Sequence, residues 1–257
     1  MPLLHYNEFG QGRPVLILHG LFGSSRNWQG IARSLSDTCR VITVDCRNHG
    51  QSFHAPSMRY EEMADDVLAL VKQLDLHDGI LMGHSMGGKV AMTLTLSQPN
   101  YFSALVSVDI APVNYRFTFS NLLKAMQTLP LAELSNRQQA EQHMRQTIDD
   151  PTLVGFILQN LVKDDSGFAW RINLPAIADN MSSISGFPEA LRDRQNDLPA
   201  LFVGGSLSDY LHERHAADIH HNFPNSEVRL IEGAGHWPHA EQTTEFLECL
   251  NSFIHRV

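Results

Sequence analysis

The stretch LMGHSMGGKV, residues 81–90, sets one serine, Ser85, between Gly83 on one side and Gly87-Gly88 on the other. The apolar run GILMGH at 79–84 leads into it, and Lys89, Val90, Ala91, Met92 and Leu94 lead out with helical character. Two readings compete. The turn is tight for packing alone and the serine is incidental, or the hydroxyl is pushed out of the backbone to do chemistry. Gly83-His84-Ser85-Met86-Gly87 fits G-x-S-x-G, and that pattern has mechanical meaning when a strand enters and a helix leaves. The serine then occupies a strained turn, and its neighbours must be small because two backbones crowd there. Its Oγ stands at the carboxyl end of a sheet, where open α/β sheets bind ligands. The start of the following helix favours a developing negative charge. The flanking pattern favours the second reading.

Outward from this turn, short apolar runs recur: PVLILHG at 14–20, CRVITVD at 39–45, ALVSVD at 104–109, PALFVGG at 199–205 and EVRLIEG at 227–233. None alternates with polar residues, as expected of parallel strands covered on both faces. Between them lie helical periods, such as Met63, Val67, Leu70, Val71 and Leu74, or Phe246, Leu250, Phe253 and Ile254. The expected class is α/β, a mostly parallel sheet flanked by helices on both faces. The alternation stops after VDIAP. Residues 114–186 read as a mainly helical cap, and residues 1–113 and 187–257 as the core. In the cap, SNRQQAEQHMRQTI at 135–148 predicts a helix capped by Ser135. DPTLVGFILQNLV at 150–162 predicts one capped by Asp150 with Pro151 at its first position. The latter is apolar on more than one face, so it needs cover on two sides or lines an apolar cavity.

Serine is a weak nucleophile at neutral pH and needs a base. Of the 14 histidines, His236 in GAGHWPHAE, 233–241, is placed best: it follows the last strand in a glycine-loosened loop. His239 is its rival, though capping or solvent exposure explains it as well. His84 adjoins Ser85 but points away on a sharp turn, which suits packing beneath it. An oxyanion needs N–H donors, and the loop LHGLFGS at 18–24 together with the helix start offers those of Leu21 and Met86. Phe22, Trp28, Phe117, Phe156, Leu158 and Trp170 are candidates to line an acyl pocket, and each also reads as core. Asp45, Arg47 and His49 in DCRNHGQS, 45–52, read as a structural loop with Asp–Arg pairing. No His, Cys or carboxylate spacing suggests a metal.

The chain has 257 residues, 43% hydrophobic and 18% charged, with a net charge of −9. This is enough apolar matter for a large core and little sign of disorder. The acidic balance argues against nucleic acid or an anionic membrane as partner. Three scattered cysteines form no disulfide framework. The amino terminus shows no signal-peptide pattern, and no run is long enough to span a membrane. A cytoplasmic protein is the expectation.

Taken together and in this order, HGLFGS, DCRNHGQS, GHSMGG, VDIAP and GAGHW resemble the α/β-hydrolase superfamily, and within it the YbfF-type esterases. The motifs run from residue 19 to 237. The resemblance implies a Ser-His-Asp esterase or thioesterase with a helical cap and no metal or organic cofactor. The expected reaction is hydrolysis of small to medium acyl esters or thioesters through an acyl-enzyme. C–C bond hydrolysis, perhydrolysis or a non-catalytic binding module on the same shell are the alternatives. The acid departs from the common pattern. Most relatives place it about three residues past the second glycine of PALFVGG, where this chain has Ser208, with Asp209 one further on. The YbfF type uses the earlier strand, so the resemblance favours Asp109 and leaves Asp209 as the alternative.

Overall fold

The structure, a computed structural model, describes residues 2–116 and 119–257. Nine strands form within them: β1 (Tyr6–Phe9), β2 (Arg13–Leu18), β3 (Cys39–Val44), β4 (Gly79–His84), β5 (Phe102–Val108), β6 (Leu161–Asp164), β7 (Gly167–Trp170), β8 (Ala200–Gly205) and β9 (Ser226–Ile231). Seven of them make one sheet in the order β1-β3-β2-β4-β5-β8-β9, and β6 and β7 pair separately as a hairpin. All six apolar runs are strands of the large sheet, and every contact among them is parallel. The seventh, β1, forms the edge of the sheet and pairs antiparallel with β3. Its four residues are too few to show a period.

Along each strand, successive side chains face opposite sides of the sheet. Leu16 and Leu18 of β2 join one core cluster, Val15 and Ile17 the other. The first face is covered by α2 (Tyr60–Gln73) and α3 (Met86–Ser97) through Met63, Val67, Leu70, Val90 and Leu94. The second is covered by α1 (Gln29–Leu35) and the carboxyl-terminal helix through Ile31, Leu35, Phe246, Leu250 and Phe253. The stripe read from sequence for Thr243–Ile254 is thus the buried face of that helix.

After β5 the chain leaves the sheet and returns at β8. In between lie α4 (Ser120–Gln127), α5 (Arg137–Met144), α6 (Pro151–Leu158), the β6–β7 hairpin, α7 (Leu174–Asp179) and α8 (Met181–Ser185). Two expectations change here. The cap of α5 is Asn136, not Ser135: the Asn136 carboxamide accepts the Gln139 N–H, one residue later than predicted. The apolar run 150–162 does not stay helical. Asp150 caps α6 by accepting the Thr152 and Leu153 N–H groups, but the helix ends at Leu158, and Leu161 and Val162 enter the hairpin. A continuous apolar run carries no period to separate helix from buried strand. The remaining helices are α9 (Ala216–Asn222), α10 (Pro238–Glu241) and α11 (Thr243–Ile254).

Candidate active site

Parallel registry gathers five chain segments at one edge. Leu18 pairs with Gly83, His84 with Val108, Val108 with Val203, and Gly205 with Ile231. The segments leaving β2, β4, β5, β8 and β9 therefore emerge side by side at the carboxyl end of the sheet, the usual ligand edge of such folds.

Ser85 holds φ 51° and ψ −115°, between β4 and α3. A non-glycine residue there costs about 1–3 kcal/mol and persists only where the surroundings fix it. Here the Ser85 N–H donates to Val108 O at 2.9 Å, and its carbonyl accepts the Lys89 N–H at 3.1 Å. The glycines are steric requirements. A Cβ on Gly83 would stand 2.1 Å from Gly87 O, and one on Gly87 would stand 2.6 Å from Leu18 O and His19 O.

Asp109 leaves β5 at φ 51° and is fully buried. Its Oδ2 accepts from His236 Nδ1 at 2.6 Å and from the Ser208 hydroxyl at 2.5 Å, while Oδ1 accepts the Gly205 N–H at 3.2 Å. Burial pushes the carboxyl pKa up, and the Ser208 and Gly205 bonds pull against it. Burial likewise pushes His236 down, to about 4, against a smaller pull from Glu241. The imidazole of His236 is stacked on the Tyr210 ring at 3.9 Å, and its backbone carbonyl accepts from His84 Nε2 at 2.8 Å. Asp209 is exposed on the adjacent loop, and its carboxylate has no bond to His236 among the described residues. Ser208, standing in the common acid position, instead holds the carboxylate of β5.

Two buried neutral histidines set the loop after β2. His19 donates from Nδ1 to Gly20 O and accepts the Cys46 N–H at Nε2, which fixes its tautomer. His49 donates from Nδ1 to Arg47 O and accepts the Phe22 N–H at Nε2. Burial lowers the pKa of both, so each remains an acceptor at neutral pH. The Phe22 N–H is thus taken, while the Leu21 N–H meets no acceptor in this loop among the described residues and the Met86 N–H stands at the open first turn of α3.

Ser85 and His236 line one cavity of about 340 Å³, together with Leu21, Phe22, Phe156 and Trp237. Its walls are mostly apolar. Of the candidate lining residues, Phe22 and Phe156 face it. Leu158 does not: it is buried in the core cluster. Trp170 does not either. Its indole N–H donates to Met126 O at 3.1 Å, and it lines a separate cavity beside Leu131 and Ile172. Trp28 is core, and Phe117 lies outside the described residues. Trp237, next to His236, was within reach of sequence reasoning, whereas Tyr210 and Leu153 carry no local signal. His239 neither caps nor faces solvent. It is buried and stacked on Trp28 at 4.0 Å, beneath His84.

The loop 45–52 is structural, but its pairing differs from expectation. Asp45 accepts the Ser25 and Gln51 N–H groups. Arg47 turns away from it to Asp66, at 2.5 and 3.0 Å, and to Glu62 at 2.6 Å. Among the described residues no group of three His, Cys, Asp or Glu could hold a metal ion, and no helix is long and apolar enough to cross a membrane.

Residues 13–243 match the sequence model of the alpha/beta hydrolase fold family. The chain is 38% identical to a zebrafish (Danio rerio) protein named sn-1-specific diacylglycerol lipase ABHD11, covering 98% of this chain and 82% of that one. It is 34% identical to the esterase YbfF of Escherichia coli strain K12, over 94% and 92% of the two chains. A solved structure titled marine microorganism esterase superposes with a TM-score of 0.95 at 35% identity, covering 98% of this chain and all of that one. The chain belongs to the α/β-hydrolase family, alongside its YbfF-type esterases, and is an enzyme of the carboxylic ester hydrolase class.

Proposed function

We propose that the protein hydrolyses esters and thioesters of small to medium acyl chains through a covalent acyl-enzyme, with Ser85 as nucleophile, His236 as base and Asp109 as acid. The observation that carries this reading is the 2.6 Å bond from His236 Nδ1 to Asp109, in a cavity that Ser85 shares. With Nδ1–H committed to the carboxylate, Nε2 is left unprotonated and able to accept the Ser85 proton. Ser85 Oγ attacks the carbonyl carbon, and the proton passes to His236. The Leu21 and Met86 N–H groups hold the oxyanion. His236 returns the proton to the leaving alcohol or thiol as its bond to the acyl carbon breaks. Water repeats the sequence on the acyl-enzyme, releasing the acid and restoring Ser85.

Residues 114–186 act as the cap of this site, with α6 supplying Leu153 and Phe156 to the acyl wall. The apolar lining supports an alkyl or acyl chain there. The names of the vertebrate relatives support an acylglycerol among the esters accepted. The buried free thiols Cys39 and Cys46 suit a reducing, cytoplasmic setting.

The test is a fluorophosphonate probe with a chromogenic short-chain ester. Ser85 takes the label, and Ser85→Ala loses turnover by about 10⁴-fold while keeping its fold. Labelling elsewhere, with turnover retained in Ser85→Ala, overturns the assignment.

A further inference from the structure

Sharing Phe22 with the acyl cavity is a second cavity, of about 260 Å³, open to the surface and of a different character. Phe22 belongs to both. Leu153 and Phe156 of α6 line the acyl cavity, while Gly155 and the following Gln159 line this one, so Phe22 and α6 form the partition. Its walls carry Arg26, Arg137 and Arg171, from the turn after β2, the start of α5 and the end of β7, and no Asp or Glu.

That composition is unusual in this chain, which holds 28 acidic residues against 19 Lys and Arg. Arg40, Arg47, Arg192, Arg229 and Arg256 each meet a carboxylate. None of the three cavity arginines does among the described residues. The Arg26 and Arg171 guanidinium groups have no protein hydrogen bond there at all, and Arg137 donates only to the Leu158 and Leu161 carbonyls. Arg26 and Arg137 are exposed and Arg171 is half-buried, so water screens their mutual repulsion, but an anion among them would meet three cations and no carboxylate. Guanidinium forks match phosphate oxygens in a bidentate manner, and a volume of this size exceeds that of a single ordered water.

The cavity is also joined to the catalytic edge. Asn160, buried in its wall, donates from Nδ2 to Phe22 O at 2.7 Å. Phe22 holds φ 62° and directly follows Leu21. A ligand against Asn160 thus bears on the same short loop that presents the Leu21 N–H.

We propose that this arginine-lined cavity binds a phosphate or diphosphate group, either carried on the far end of an ester substrate or as a free ligand. The binding itself does not rest on the reaction assigned above, so it is tested without turnover.

Titration calorimetry with pyrophosphate at fixed ionic strength reads it directly. The expected result is saturable binding that weakens at least about tenfold in Arg26→Gln/Arg171→Gln, whose lost side chains support nothing else in the fold. Arg137→Gln provides an independent check. Turnover of a neutral short-chain ester is unchanged in both variants. Absence of saturable binding at millimolar pyrophosphate, or equal binding by the variants, overturns the proposal. Kinetics separate the two sources. Where the phosphate belongs to a substrate, the double variant raises KM for an ester with a phosphorylated leaving group alone, and pyrophosphate competes with that ester. Where it is a free ligand, pyrophosphate binds alongside any ester and KM values are unaltered.

Discussion

Asp109 and Asp209 lie one hundred positions apart in sequence, and among the described residues only the first bonds to His236. The difference comes from the neighbour relation of strands: Asp109 ends β5, beside β4, so its carboxylate emerges next to Ser85. Loss of the acid deprives the imidazole of its fixed tautomer and its charge partner, at about 10⁴-fold in turnover. Asp109→Asn is therefore expected to be nearly silent and Asp209→Asn to lose at most about tenfold, read as kcat on one chromogenic ester. A silent Asp209→Asn with an active Asp109→Asn would move the acid to the later strand. The pH profile follows from burial. In the proposed role of base His236 must be neutral, and its pKa is lowered to about 4. Activity then persists as pH falls below 6.5 and is lost only as pH nears that lowered value. A limb of kcat/KM centred at 6.5 or above would mean that the Asp109 charge outweighs desolvation. That Ser85 and His236 come together in one cavity was legible because each sits in a short motif whose neighbours report its setting. Asp109 was favoured over Asp209 only through the family resemblance, since which carboxylate meets His236 depends on which strands adjoin, and no local pattern records that. Ser208 and Tyr210 were illegible for the same reason.

At the scale of elements, α6 shows why an apolar run is an ambiguous text. Its cap and its proline were readable, because Asp150 and Pro151 act within one turn. Its end and its facing were not. Val154, Ile157 and Leu158 turn to the core, and Leu153 and Phe156 turn to the acyl cavity, though all five are apolar. Only packing decides between them. This division makes a test of the wall. Phe156→Trp enlarges a side chain that already meets Trp237 at 5.6 Å between ring centroids. It is expected to lower kcat/KM for long acyl esters about tenfold or more while short ones stay within about threefold, as a chain-length series would show. An equal fall for every length would mean that α6 supports the site without bounding the chain. The hairpin β6–β7 was missed altogether, because Leu161 and Val162 continue the apolar run of the helix before them.

Across the whole molecule, the sheet was the most legible part, since six short apolar runs leave few other folds open, although β9 at the sheet's edge leaves Val228, Arg229 and Leu230 exposed rather than covered on both faces. Its order explains the position of the site: the chain steps from β2 to β3 on one side and then crosses to β4 on the other. The crevice opened by that reversal lies between the loop carrying Leu21 and the turn carrying Ser85. The same parallel registry brings the ends of β5 and β8 together, so that Ser208 Oγ stands 2.5 Å from Asp109 Oδ2. Two positions almost a hundred residues apart thus address one point in space. Asp109→Asn/Ser208→Asp is expected to recover at least about tenfold over Asp109→Asn alone in ester turnover, because a carboxylate from β8 can reach the same imidazole. No recovery would show that the β8 loop can hold the charge but not supply it. If recovery is seen, the acid is a transferable office rather than a fixed residue. A chain holding Asp at both positions would then be a working bridge between two hydrolase lineages, crossed one substitution at a time without the fold ever being rebuilt.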